Sequence, residues 1–153
     1  DKRGEKNKLQ LLYLRERFYV PSNVYLIGLM NTADRSLALL DYALRRRFAF
    51  FTLNPGFSST GFTRYREAVS SAAFDNLVSC VARLNTEIAS DESLGEGFMI
   101  GHSYFCGFLG GTVDHASLSA IVEYELIPML GEYWFDDQEK VRLWSDALRR
   151  SIQ

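Results

Sequence analysis

Asn31, Thr32, Asp34 and Arg35 follow directly on an unbroken apolar run, Val24-Tyr25-Leu26-Ile27-Gly28-Leu29-Met30. In open α/β sheets ligands bind beyond the carboxyl ends of the strands, so polar side chains at this point could meet a phosphoryl group and the water that attacks it. An amide such as Asn31 would hold that water without adding charge. Asn31 and Asp34 equally fit a turn and a helix cap, and spacing alone does not separate the two roles.

Ten residues on, Arg45, Arg46 and Arg47 stand in a row. At about 100° per residue, three consecutive side chains on a helix cannot serve one purpose. With Leu37, Leu40 and Leu44 as the buried stripe, Arg45 falls four residues after Asp41 and can pair with it. Arg46 then points away from the stripe, and Arg47 lies near the edge of the core. A basic helix C-terminus satisfies the macrodipole with one or two of these charges. An arginine that reaches a phosphate in a neighbouring subunit is the functional alternative.

Other chemistry is poorly represented. None of Lys2, Lys6, Lys8 and Lys140 follows a glycine-rich turn, so no phosphate-cradling loop is present. Asp91-Glu92 follows a helical stretch, where a magnesium-binding acidic pair would follow an apolar strand. His102 and His115 form neither a metal-ligand spacing nor a Ser-His-Asp arrangement with the serines. Cys80 and Cys106 read as small apolar residues of a reducing compartment.

The elements that must position these residues follow from periodicity. Val24 to Met30 and Phe48-Ala49-Phe50-Phe51-Thr52-Leu53 are short continuous apolar runs, which predicts strands buried on both faces. The stretch 37–47, with Ser36 as N-cap, predicts a helix between them and hence a parallel α/β unit closed by Asn54-Pro55-Gly56. Beyond it the pattern turns helical. Phe74, Leu77, Val78, Val81, Leu84 and Ile88 make one apolar face, and Val141, Trp144 and Leu148 another. Residues 116–130 read as helix, with Pro128 imposing a kink or an end. The fold class is therefore α/β, residues 1–57, followed by a helical subdomain, residues 58–153.

With 47% hydrophobic and 24% charged residues among 153, the chain has the composition of a globular domain. A net charge of −2 gives no overall attraction to nucleic acid, and the basic side chains of Lys2, Arg3, Lys6 and Lys8 fit a solvated loop better than a DNA contact. No apolar run of about 18 residues is present, which places the protein in solution, in the cytoplasm and off the membrane. The charged start, without methionine, reads as a cut inside a loop of a longer chain.

Met30-Asn31-Thr32-Ala33-Asp34-Arg35-Ser36 followed by Asp41-Tyr42-Ala43-Leu44-Arg45-Arg46-Arg47-Phe48 closely resembles the signature of the McrB family, the GTPase subunits of modified-cytosine-dependent restriction systems. Gly97-Phe98-Met99-Ile100-Gly101-His102-Ser103-Tyr104-Phe105 and Tyr133-Trp134-Phe135-Asp136-Asp137 extend the resemblance over nearly all of the chain after residue 20. The resemblance implies the last two core strands of a partial P-loop-type AAA+ parallel sheet followed by a helical lid. It implies a sensor role for Asn31, an arginine-finger role for Arg46 and, second, Arg47, and nucleotide contacts from Thr32, Asp34, Gly101, His102 and Ser103. Thr32 stands where guanine-reading motifs carry lysine, so GTP and ATP both remain open.

The same resemblance implies a complete parent that uses Mg2+ with GTP or ATP, forms a hexameric ring, works with a McrC-like nuclease and meets DNA through regions outside these residues. The phosphate-binding and magnesium-binding motifs are missing here, so the chain alone is expected to bind no nucleotide strongly and to hydrolyse none. In the family's sheet the strand before the phosphate loop lies between the two strands present here, which predicts an incomplete sheet edge. The alternative is a non-enzymatic helical interaction module in which Asn31, Asp34 and Arg46 are structural.

Overall fold

The computed structural model describes residues 3–31, 45–108 and 113–153. The chain divides into two units, Asp1–Asn31 and Thr32–Gln153.

In the first unit a tight hairpin pairs β1 (Leu9–Gln10) with β2 (Arg17–Phe18), antiparallel, with Leu9 opposite Phe18 and Gln10 opposite Arg17. Its loop closes through Leu11 N–H donating to Glu16 O at 2.9 Å, with Arg15 in the left-handed region at φ 53°. The basic residues are partly occupied locally. Arg3 donates to Val24 O at 2.8 Å and lies over the Tyr25 ring, and Lys8 pairs with Glu5 at 3.0 Å.

The parallel sheet expected from residues 24–30 and 48–53 does not appear: among the described residues neither segment carries a strand, and the one ladder is the β1–β2 hairpin. A run that is apolar on both faces becomes a buried strand only when neighbours satisfy its amides and helices cover its faces. These runs lack that cover. Ile27 and Leu29 are 90% and 91% exposed, and Phe51 and Leu53 are 87% and 88% exposed.

The second unit is helical. In chain order it contains α1 (Thr60–Val69), α2 (Ala72–Ser90), α3 (His115–Ile121), α4 (Ile127–Tyr133) and α5 (Gln138–Ser151). Polar N-caps start four of them. Ser59, Ser71, Asp114 and Asp137 accept from the amides of Phe62, Phe74, Ser117 and Lys140. The six apolar residues expected on α2 are all buried, and Leu148 is buried on α5 with Val141 and Trp144 packed partly against the same core.

Pro128 does not end its helix. Lacking an N–H, it cannot bond the carbonyl four residues back. The chain absorbs this with a π-turn, Val122–Leu126, whose wider ladder lets Ile127 N–H reach Val122 O and runs α3 on into α4. Arg149 of α5 then clamps the turn, donating to both Glu123 oxygens at 2.6 and 2.8 Å.

Candidate functional site

The extended segment 52–57 reaches α1 and meets the loop that follows α2. His102 makes the junction. Its Nδ1 accepts from Gly56 N–H at 2.9 Å. Its edges pack against Phe57 and Phe62 at ring separations of 6.2 and 5.6 Å. A Cβ at position 56 would stand 3.0 Å from His102 Cε1, so a larger residue there would have to push the ring aside by a few tenths of an ångström.

The loop bearing His102 is itself fixed from below. Asn85, 6% exposed on the inner face of α2, donates to Ile100 O at 2.9 Å and accepts from Ile100 N–H at 2.7 Å. Both polar groups of one buried backbone residue are thereby satisfied by one amide side chain. The short 3-10 turn His102–Phe105 starts immediately after Gly101 and buries Phe105 against Phe74.

Where α2 ends, Asp91 gathers a second set of bonds. It accepts from the Ser93 hydroxyl at 2.6 Å, Ser93 N–H at 2.9 Å, Trp134 Nε1 at 2.8 Å and Lys140 at 3.1 Å. The Ser93 hydroxyl and then Trp134 hold its carboxyl well below the usual carboxylate range. Lys140 also pairs with Glu87 at 2.8 Å and stacks over the Trp134 ring at 4.4 Å. This acid is a structural tie between α2, α4 and α5, in keeping with its position after a helix.

Between segment and loop lies a cavity of about 410 Å³. One wall is Thr52, Leu53, Asn54 and Pro55. The other is Glu96, Gly97 and Met99 with Gly101, His102 and Ser103. The sequence-expected trio Gly101, His102 and Ser103 is thus brought to one cavity. Leu53, Pro55 and Met99 supply apolar surface, and among the described residues no lysine or arginine lines the cavity.

The remaining expected residues stand elsewhere or lie outside the described residues. Thr32, Asp34 and Asp41 lie outside them, as does most of the expected helix 37–47. Asn31, Arg46 and Arg47 are exposed, and none lines the cavity. Helical backbone is carried by Arg45, whereas Arg46 and Arg47 are in a turn. The helical phase that separated Arg46 from Arg47 therefore does not extend to them, and both are exposed alike.

Among the described residues no group of three or more His, Cys, Asp and Glu side chains could hold an ion. Cys80 and Cys106 are free thiols, and burial pushes the Cys80 thiol up, away from reactivity. No helix among the described residues is long and apolar enough to cross a membrane.

Sequence reasoning missed Asn85, Gly56 and the wall 52–55. Asn85 lies four residues after Val81 and three before Ile88, on the apolar stripe. A polar residue in that position signals a buried hydrogen-bond partner.

Comparison with known proteins gives two findings. Residues 76–142 match the family described as McrB, alpha-helical lid domain. The chain is also 47% identical, over 156 aligned residues, to the Type IV methyl-directed restriction enzyme EcoKMcrB subunit of Escherichia coli strain K12. That match covers 97% of the chain and 34% of the relative, so the chain spans about a third of the relative's length.

Proposed function

Because the chain belongs to the McrB family, we propose that it forms the sensor, arginine-finger and lid part of a McrB-like AAA+ nucleotide hydrolase that drives a DNA restriction system. The cavity between residues 52–55 and 96–103 carries this reading. It joins the end of an apolar run to the loop that follows α2, where a lid folding over a nucleotide would close on its base. Gly101, His102 and Ser103 are its nucleotide contacts, with His102 holding the wall through Gly56.

In this reading the exposed runs 24–30 and 48–53 are strands of a parallel sheet completed by the rest of the parent. Asn31 ends the first of them and orients the attacking water. Thr32 and Asp34 continue the nucleotide contact. Arg46, with Arg47 second, reaches the nucleotide of the next subunit in a hexameric ring. Phosphate binding and Mg2+ coordination belong to parts of the parent other than these residues. A McrC-like nuclease and the DNA are partners of the complete assembly.

Changing Asn31 to Ala in the complete parent tests the sensor. Loss of one positioned hydrogen-bonding group is expected to slow turnover by about a hundredfold, with nucleotide affinity and thermal midpoint unchanged. An interaction module would show no change in turnover, and that result would favour the non-enzymatic alternative.

A further inference from the structure

The loop that follows α2 is tied to the helices near both of its ends. Asp91 accepts from Trp134 Nε1 at 2.8 Å and from Lys140 at 3.1 Å, and Asn85 takes both polar groups of Ile100. His102, two residues beyond Ile100, therefore stands on a fixed base. What it grips is the chain that enters the helical unit. Gly56 N–H donates to His102 Nδ1 at 2.9 Å, and Gly56 O accepts at 3.0 Å from the N–H of Ser59, the residue that caps α1. One backbone residue is thus bonded to the loop on one side and to the start of a helix on the other. The hold begins there: Thr52, Leu53 and Asn54 are exposed, whereas Pro55, Gly56 and Phe57 are partly buried.

We propose that His102 is a positioning residue, which makes Gly56 the first residue held by the lid, confines the swing of the lid to Asn54 and Pro55, and so slows nucleotide release. The proposal rests on the reading of the cavity as the place where the lid closes on a nucleotide. Proline fixes its own φ and restricts the residue before it, so a hinge limited to Asn54-Pro55 has few conformations. Glycine is the reverse case, with the widest backbone freedom of any residue. Its bond to His102 is what sets the direction of the chain before it. Without that bond Gly56 keeps its turn bond to Ser59, and the next hold is the Phe57 ring, packed against Phe62 at 5.5 Å. The free stretch then includes a glycine, and the orientations newly open to the lid must be given up each time it closes.

Release of a fluorescent GTP analogue from the complete parent, chased with unlabelled GTP in a stopped-flow experiment, is the test. His102→Leu removes the acceptor and keeps apolar bulk beside Phe57 and Phe62; it is expected to speed release by about three- to tenfold, the worth of one net hydrogen bond. His102→Asn, whose side-chain oxygen can take the place of Nδ1, is expected to bring release back to within about twofold of the parent. Pro55→Gly leaves His102 in place and loosens the same hinge from its other side, and it too is expected to speed release. If His102→Leu and His102→Asn are equally fast, the imidazole acts on the nucleotide itself and the positioning role falls. Release that is unchanged or slower in His102→Leu, or unchanged in Pro55→Gly, would overturn it as well. Ser103→Trp, at an exposed lining position, separates this failure from that of the underlying reading: it should block binding by filling the cavity, and if it is silent the cavity is not the nucleotide site and both readings fall. Thermal midpoints matching the parent verify that each variant is folded.

Discussion

Replacing Arg46 by Ala in the complete parent is expected to lower nucleotide turnover by about a thousandfold, the scale of a missing trans-acting arginine. Arg46 is exposed in a turn, and a guanidinium held outside its own subunit's core has the reach that such a role needs. The loss should appear in turnover with nucleotide affinity nearly unchanged, because the interaction forms as charge develops on the transferred phosphoryl group. Mixed assemblies give a sharper reading. Combining Arg46→Ala subunits with Asn31→Ala subunits should restore part of the activity, since some interfaces then pair an intact Asn31 with an intact Arg46. Absence of any recovery on mixing would mean that the arginine acts within its own subunit or not at all. Arg47→Ala is expected to fall between Arg46→Ala and the parent.

Replacing Asn85 by Ala is expected to destabilise the helical unit by about 3–4 kcal/mol, a several-hundredfold change in the folding equilibrium. Asn85 is buried and satisfies both the N–H and the carbonyl of Ile100. Alanine leaves both groups dry and unpaired, which costs more than the loss of a single exposed bond. The denaturant midpoint should fall with the slope unchanged. Ile100 immediately precedes Gly101, His102 and Ser103, so the same change should loosen one wall of the cavity and weaken nucleotide binding by the parent. A loss below about 1 kcal/mol would show that the loop is held by its apolar contacts instead.

The helical half was legible because its signals are local. A polar N-cap followed by a 3.6-residue apolar stripe specifies a helix without reference to the rest of the chain, and α2 obeys that rule at each of its six expected apolar positions. Pro128 does not end its helix, because a π-turn offers a way to satisfy a helix that lacks one donor. The sheet was not legible in the same way. Apolar runs such as 24–30 and 48–53 say that a segment wants cover on both faces, but cover is a property of other segments. Here Ile27, Leu29, Phe51 and Leu53 remain exposed, and the composition of each run carries no record of that.

The site shows the same division. Gly101, His102 and Ser103, expected as nucleotide contacts from their resemblance to a family motif, are consecutive residues that line one cavity. The opposite wall, Thr52 to Pro55, carries no motif and is held to the loop by the bond between Gly56 N–H and His102 Nδ1 together with the Phe57 ring beside His102. Asp91 illustrates the converse. The sequence sets Asp91-Glu92 apart from a magnesium-binding pair because it follows a helix, and the four bonds of Asp91 to Ser93, Trp134 and Lys140 tie helices together.

Photo-crosslinking of an azido-purine nucleoside triphosphate to the complete parent, followed by identification of the labelled peptide, tests the assignment of the cavity most directly. The account predicts that the base labels residues 52–55 or 96–103, with labelling suppressed by excess unmodified GTP. Labelling confined to other parts of the parent, with both segments untouched, would contradict the claim that this chain closes over the base.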